Sequence, residues 1–254
     1  MLQRLALRPR AIAAGWHLLI SAAVAASAAA LVFGVWYPGA YRLLSGGRGL
    51  FFLVTGVDVV MGPLLTFAIF NLKKGWPHLR RDLAVIGALQ SAALIYGLHT
   101  VYMVRPVATV FEVDQFRVIA AGDVYLPELP KARPEYRSLP LTGPWLLGTR
   151  AAVAGAEHNE ALFKALEGFD IGQRPTFWQP YAESVKAVLA KARPVSALLE
   201  HYPARATEFR VALLEMKASE ATARFLPLRA RGDWVIVLDP DGAVLGHLQV
   251  DGFF

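Results

Sequence analysis

Three long apolar runs fill the first hundred residues, and short polar or basic stretches separate them. Residues 12–36 and 83–104 contain no Asp, Glu, Lys or Arg, and residues 50–72 contain a single charged side chain. A helix of about 20 apolar residues is long enough to cross a bilayer. The pattern therefore predicts a membrane protein with three N-terminal transmembrane helices.

A cleaved signal peptide is the alternative interpretation of the first run. Arg4, Arg8 and Arg10 form a basic segment before it, and Ala-Ser-Ala-Ala within it is typical of a cleavage site. The run is much longer than the apolar segment of a signal peptide, which has about 7–15 residues. It also ends at Trp36-Tyr37-Pro38, where two aromatic rings and a proline favour a membrane interface and a helix end. We therefore expect a retained helix.

The distribution of basic residues predicts the orientation of the spans. Residues 1–11 carry three Lys or Arg and residues 73–82 carry four, whereas residues 37–49 carry two. Loops rich in Lys and Arg stay on the cytoplasmic side of a membrane. We expect residues 1–11 and 73–82 in the cytoplasm, and residues 37–49 and 105–254 outside it. In a Gram-negative cell this places the chain in the inner membrane, with its C-terminal part in the periplasm.

The composition agrees with a membrane protein and argues against a nucleic-acid partner. Hydrophobic residues make up 55% of the chain and charged residues 18%, below the roughly 25% of an average soluble domain. The net charge of +6 arises in residues 1–104, where nine Lys or Arg face two Asp or Glu. Membrane orientation explains this excess, because no basic face with interleaved aromatics is present. The lack of cysteine excludes disulfides, a thiol nucleophile and a thiolate metal site.

Asp58 is the charged residue inside the second predicted span. A carboxylate at such depth costs a few kcal/mol, so it is usually protonated, paired or functional. Counted from residue 50, Asp58 lies about 12 Å below the outer surface. Tyr96 and His99 lie at comparable depth in the third span. We therefore predict that Asp58 faces the interior of the helix bundle and bonds Tyr96 or His99.

Gly62 and Pro63 predict a bend in the second span, close to Asp58. Proline has no N–H to offer the carbonyl of Val59, and the adjacent glycine loosens the helix further. In one hypothesis this polar, bent segment joins the three helices internally, through Tyr96, His99 or Gln90. In the other, it offers a polar contact to a helix of another protein. Proton transport is disfavoured, because one carboxylate among three helices forms no continuous relay.

The C-terminal part, residues 105–254, predicts an extracytoplasmic α+β domain. A proline-rich loop over residues 127–144 separates an early strand pair from a helical region, and a hairpin turns at Asp239-Pro240-Asp241-Gly242. The predicted strands span residues 107–113, 116–119, 145–153, 234–238 and 243–250, and the predicted helices span residues 157–167, 181–191, 194–201 and 203–218.

No catalytic or cofactor motif is present. We find no phosphate-binding loop, GxSxG, HExxH or EF-hand pattern. Glu157-His158-Asn159-Glu160 resembles a metal motif but opens a helix, where acidic residues are favoured. Asp239 and Asp241 lie in a turn, and the aromatic residues 177, 178 and 181 are typical of a core. The sequence therefore predicts no enzyme, no cofactor and no metal.

The ten residues from Val57 to Thr66, which include Asp58, Gly62 and Pro63, form the most distinctive stretch of the membrane half. Through this stretch and further positions within roughly residues 15–120, the chain resembles the TfpX/TfpZ family of type IV pilin accessory proteins. Beyond residue 120 the resemblance rests mainly on Pro227, Arg229 and the terminal hairpin. The other matching residues, in order, are His17-Leu18, Ser21, Trp36-Tyr37-Pro38, Gly46-Gly47, Lys73-Lys74, Asp82-Leu83, Gln90, Ala93-Leu94, Tyr96-Gly97, Arg105-Pro106, Phe111, Val113-Asp114 and Phe116.

This resemblance implies an inner-membrane, chaperone-like protein that modulates the stability and surface assembly of a cognate type IV pilin, without catalysis. In this hypothesis the first two spans hold the pilin helix and the outer domain binds the pilin head. Asp58, Gly62, Pro63, Tyr96 and His99 are the candidate partner-binding or helix-packing residues. The alternatives are a membrane-anchored sensor whose periplasmic domain binds a small ligand, and a membrane-tethered enzyme of unrecognised type.

Overall fold

Three helices in the computed structural model are long and apolar enough to cross a membrane. They are Leu7–Trp36, Gly47–Ile69 and Trp76–Met103. The structure describes residues 2–71 and 75–254, with side chains from Leu7 onward. The predicted end of the second span at residue 72 and the Lys73-Lys74 pair lie outside the described residues.

The predicted helix positions are close to the observed ones, with one clear difference. The third helix begins at Trp76 rather than at residue 83, so most of the predicted loop 73–82 is helical. Pro77 fits the first helical turn, where its missing N–H removes no hydrogen bond. The membrane part consists of α1 (Leu2–Leu31), its π-helical continuation (Val32–Trp36), the short α2 (Tyr41–Leu44), α3 (Gly47–Ile69) and α4 (Trp76–Met103).

The helix α3 packs against both α1 and α4. Glycine permits close approach to α4, because a Cβ at Gly97 would overlap the side chain of Val54. The apolar cluster between the helices lies near the outer domain and includes Val32, Phe51 and Val101. Most other large apolar side chains of the three helices are exposed, as lipid-facing side chains are.

The C-terminal domain is α+β, as the sequence predicts, and its eight strands form one mixed sheet. The order is β4-β3-β1-β2-β6-β7-β8, and β5 pairs with β6. The pairs β1–β3 and β2–β6 are parallel and the others antiparallel. The elements are β1 (Pro106–Glu112), β2 (Gln115–Ala120), β3 (Trp145–Thr149), α5 (Ala156–Leu166), β4 (Trp178–Pro180), α6 (Val185–Lys191), β5 (Arg193–Pro194), α7 (Val195–His201), α8 (Ala206–Glu215), β6 (Arg224–Ala230), β7 (Gly232–Leu238) and β8 (Val244–Leu248).

The first and last hairpins and the four predicted helices are confirmed within a few residues, but β6 was not predicted. Pro227 lies in the middle of β6, and proline is disfavoured inside a sheet. On one side, β6 pairs with β5 through Arg224 and Phe225 and with β2 through Leu228 and Arg229. Pro227 falls between these two pairings, so its missing N–H interrupts neither.

The loop that joins α1 to α3 is part of the core of the outer domain. Leu44 is fully buried in the cluster that contains Phe111 and Phe116 of the first hairpin. Its carbonyl accepts a hydrogen bond of 2.7 Å from the backbone N–H of Arg231. Side chains of β7 pack on both faces of the sheet. Val235 and Val237 pack with α7 and α8 on one face, and Trp234 and Ile236 belong to the Leu44 cluster on the other.

Further hydrogen bonds join the α1–α3 loop to α4 and to the domain. The Tyr37 hydroxyl donates to the carbonyl of Val101 at the end of α4, over 2.8 Å. The hydroxyls of Tyr41 and Thr109 lie 2.8 Å apart, which links α2 to β1. Burial raises the pKa of Tyr37 and of Tyr41, so both hydroxyls stay protonated near neutral pH.

Candidate membrane-embedded binding site

A polar cavity of about 190 Å³ lies between the three membrane helices. Each helix contributes at least one hydrogen-bonding side chain in an otherwise apolar region. The lining residues are His17, Ile20, Ser21, Val24 and Ala25 of α1, Thr55, Asp58 and Val59 of α3, and Gly87, Gln90, Ser91 and Leu94 of α4.

Asp58 lies at the midpoint of α3 and half-buried in this cavity. It is eleven residues from Gly47 and eleven from Ile69, the two ends of the helix. At 1.5 Å per residue this is about 16 Å from either end, deeper than the sequence predicted. Its backbone carbonyl accepts a hydrogen bond of 3.1 Å from the side-chain amide of Gln90.

The carboxylate of Asp58 remains available. Among the side chains that the structure describes, from residue 7 to 71 and from 75 to 254, none forms a hydrogen bond or ion pair with it. An acid at the centre of a membrane helix is usually paired or functional. The carboxylate can therefore accept hydrogen bonds from a polar group that enters the cavity.

Gly62 and Pro63 follow Asp58 in α3 and are not among the residues that line the cavity. Gly62 is buried, and a Cβ there would overlap the side-chain amide of Gln90. Pro63 lies inside the helix and offers no N–H to the carbonyl of Val59. Polar groups of neighbouring helices commonly compensate for such breaks inside membranes. The side-chain amide of Gln90 bonds the adjacent carbonyl, that of Asp58, rather than the carbonyl of Val59.

A second polar link joins α1 to α3, and the sequence did not indicate it. Nδ1 of His17 lies 2.5 Å from Oγ1 of Thr66, which is buried near the far end of α3. The two residues are 49 positions apart. Both residues belong to stretches that resemble the pilin accessory family. This resemblance is the feature of the sequence that could have drawn attention to them.

The predicted bond from Asp58 to Tyr96 or His99 is wrong. Tyr96 is 75% exposed on α4, and His99 is exposed as well. At about 100° per residue, Tyr96 lies about 120° and His99 about 180° around the helix from the inward-facing Gln90. Counting residues gave Tyr96 and His99 a depth similar to that of Asp58, but both side chains lie on another face of α4 than Gln90. A contact of these two exposed residues with a partner protein stays a prediction.

Glu157, Glu160 and Asp239 of the outer domain bond neighbouring groups of the chain. Arg150 holds the pKa of Glu157 at about 2, and the carboxylate also accepts a hydrogen bond from the backbone N–H of Val153. Glu160 pairs with Arg174. Asp239 accepts hydrogen bonds from two backbone N–H groups of its turn. Within the described residues, no three His, Asp or Glu side chains are placed to bind a metal.

Phe177 and Trp178 are core residues, as expected, because each is about 1% exposed. The Trp178 indole donates to the carbonyl of Gly172 over 2.8 Å, and the Tyr181 hydroxyl donates to that of Gly242. These aromatic residues therefore do not form a ligand site.

The apolar helices and the joined α+β domain define a membrane-anchored protein with an extramembrane domain. Over 242 residues, 94% of each chain, the sequence is 38% identical to the fimbrial assembly protein of serogroup E1 from Dichelobacter nodosus. The identity to the serogroup I protein of the same organism is also 38% over 242 residues. The chain belongs to the fimbrial assembly protein family.

Two further comparisons concern parts of the chain. The family model described as fimbrial assembly protein FimB matches residues 5–46, which comprise most of α1 and the loop docked into the outer domain. The fimbrial assembly protein of serogroups C1 and C2 from Dichelobacter nodosus is 47% identical over 118 residues, 46% of this chain and 90% of that protein. No solved structure matches significantly.

Proposed function

We propose that the protein assists type IV pilus assembly as an inner-membrane accessory protein of the TfpX/TfpZ kind. It modulates the stability and surface assembly of a cognate pilin and catalyses no reaction. The observation that carries this proposal is the similarity to fimbrial assembly proteins over 94% of the chain. The resemblance of residues 57–66 to the pilin accessory family supports the narrower assignment.

The membrane part of the proposal is a contact between the pilin helix and the polar cavity. A pilin that awaits assembly is expected to be a single membrane helix with a globular head. The available carboxylate of Asp58 and the small residues Ser21 and Ala25 line the cavity. Small residues let helices approach closely, and polar side chains bond between helices in membranes. These features support docking of one additional helix.

The outer part of the proposal is a contact between the α+β domain and the pilin head in the periplasm. The basic residues near the N-terminus and between the second and third spans support this orientation. Leu44 and Tyr41 attach the domain to the α1–α3 loop, so a helix-binding face and a head-binding face can act together on one partner.

Deletion of the gene and complementation test this proposal. The assay measures pilin abundance by immunoblot and surface pili by electron microscopy, with the membrane level of each variant checked in parallel. We expect deletion to lower either quantity, wild type and Ser27→Ala to restore it, and Asp58→Ala to fail. Ser27→Ala is the matched control, because it removes an exposed polar group of α1 that bonds the carbonyl of Ala23 in the same helix and does not line the cavity.

The outcomes separate the two parts of the proposal. If deletion leaves pilin abundance and surface pili unchanged, the accessory role is wrong. If Asp58→Ala restores both at a normal protein level, the assembly role stands and the intramembrane contact is wrong.

A further inference from the structure

A second cleft, of about 740 Å³, lies where the membrane helices meet the outer domain. Leu50 of α3 and Thr100 and Val104 at the end of α4 line its membrane side. Strand β2 and the turn between β6 and β7 line the opposite side. The cleft is therefore at the level where the apolar spans end.

The domain side of this cleft is rich in arginine. Arg117 is already neutralised, because its guanidinium lies 3.1 Å from Glu112 and 2.7 Å from Asp170. Arg229 and Arg231 are exposed, and within the described part of the chain neither side chain forms an ion pair or hydrogen bond. Arg229, which also interacts electrostatically with Glu112, and Arg231 thus add positive charge opposite the apolar helix ends, and Asp123 lines the same cleft.

The N-terminus of α3 adds hydrogen-bond donors at the same place. Gly46 caps this helix with a left-handed φ of 66°, and no side chain bonds its first N–H groups. The Arg231 side chain lies directly against Gly46, where a Cβ would overlap it. The hydroxyl of Ser45, which also lines the cleft, is buried and has no hydrogen-bond partner among the described residues. A helix N-terminus with a nearby cation favours an anion.

We propose that this cleft binds the anionic headgroup of a phospholipid from the leaflet next to the outer domain. The headgroup phosphate lies near Arg229, Arg231 and Ser45, and the acyl chains run along α3 and α4. A phospholipid fits because it combines an anion with apolar chains, the same combination that the two sides of the cleft present. The volume is in the range of small-ligand sites, roughly 300–1,000 Å³.

Native mass spectrometry of the full-length protein in detergent tests this proposal. The probes are phosphatidylglycerol, phosphatidylethanolamine and inorganic phosphate. We expect wild type to bind phosphatidylglycerol preferentially and the double variant Arg229→Gln/Arg231→Gln to bind it about thirtyfold more weakly. Each basic residue near an anionic lipid surface contributes about fivefold. The control Lys186→Gln/Lys191→Gln removes two exposed charges from α6 and should bind as wild type does.

Several results would overturn the proposal. Equal phosphatidylglycerol affinity in wild type and in the arginine variant would exclude the cleft. Equal affinity for phosphatidylethanolamine would exclude recognition of the anionic headgroup. Displacement of the lipid by millimolar inorganic phosphate would identify a site for free phosphate, and displacement by purified pilin would identify a protein-binding surface. The thermal midpoint of the arginine variant, measured in the same detergent, distinguishes lost binding from lost folding.

Discussion

The side-chain amide of Gln90 on α4 donates a hydrogen bond to the backbone carbonyl of Asp58 on α3, 3.1 Å away. The contact requires close approach of the two helices, which Gly62 permits. It occupies the backbone of Asp58 and leaves the carboxylate directed to the cavity. Asp58 thus contributes its backbone to the packing of the bundle, while its side chain lines the cavity.

The first prediction concerns Gly62. Gly62→Ala places a methyl group where the Gln90 amide lies, so the amide must move and lose its hydrogen bond to the Asp58 carbonyl, and we expect destabilisation of about 1 kcal/mol. The control is Gly56→Ala in the same helix, because a Cβ there meets no atom within 4 Å. Thermal unfolding of both variants in detergent checks the prediction. Equal thermal midpoints in Gly62→Ala and Gly56→Ala would contradict a close contact between Gly62 of α3 and Gln90 of α4.

The second prediction concerns the loop between α1 and α3. Leu44→Ala removes a fully buried side chain from the core of the outer domain, which typically costs about 2–5 kcal/mol. The neighbouring Leu43 is 51% exposed, so Leu43→Ala is the matched control. Limited proteolysis of the full chain should cut the outer domain faster only in Leu44→Ala. Identical digestion rates would contradict the docking of this loop.

The third prediction concerns a buried ion pair. Nε of Arg174 donates to Glu128 over 2.8 Å, and each residue is less than 7% exposed. Glu128→Gln leaves the buried arginine with only the more exposed carboxylate of Glu160, so we expect a cost of at most about 3–5 kcal/mol. Glu183→Gln removes a carboxylate from an exposed pair with Arg133 and should change the free energy of unfolding little. Urea unfolding, followed by tryptophan fluorescence, compares the two variants.

The fourth prediction is a pH dependence that arises from His247. Burial lowers the pKa of His247 to about 4, and its ring packs 6.1 Å from that of Tyr41. The unfolded chain, in which histidine has its ordinary pKa of about 6.5, binds the proton first. The free energy of unfolding should therefore fall as the pH decreases from about 6.5 to 4, by at most about 1.4 kcal/mol per pH unit.

His247→Phe should reduce this pH dependence while it keeps an aromatic ring beside Tyr41. His158→Gln, which changes an exposed histidine on α5, is the control. Urea unfolding at pH 4.5 and pH 7 measures the difference. A pH dependence that persists unchanged in His247→Phe would assign it to other groups.

In the membrane part, the sequence determines where each helix lies along the chain but not which face of the helix packs inward. Apolar length and charge identify the spans, because both are properties of continuous segments. The start of α4 at Trp76 was missed because His78, Arg80 and Asp82 are polar, and polarity marks the bilayer edge rather than a helix end. The depth of Asp58 could be approximated by counting, whereas its neighbour depends on which face of α4 packs inward.

The outer domain shows the same limit for long-range contacts. Local patterns predicted the first and last hairpins, in which paired strands are close in sequence. β4 and β5 were missed because three and two residues are too few for a periodic pattern. The burial of Leu44 depends on Phe111 and Trp234, which are distant in sequence. No local property of residues 37–49 indicates that they join the core of another unit.

In-cell photocrosslinking tests most directly whether the protein binds the pilin helix at the polar cavity. A photoreactive amino acid replaces Ser21 or Ser91 at the cavity, or Ile95 as a control, which is 68% exposed on α4. We expect crosslinks to the pilin from positions 21 and 91 and few from position 95. Normal levels of all variants without cavity crosslinks, or with equal yield at position 95, would contradict this expectation.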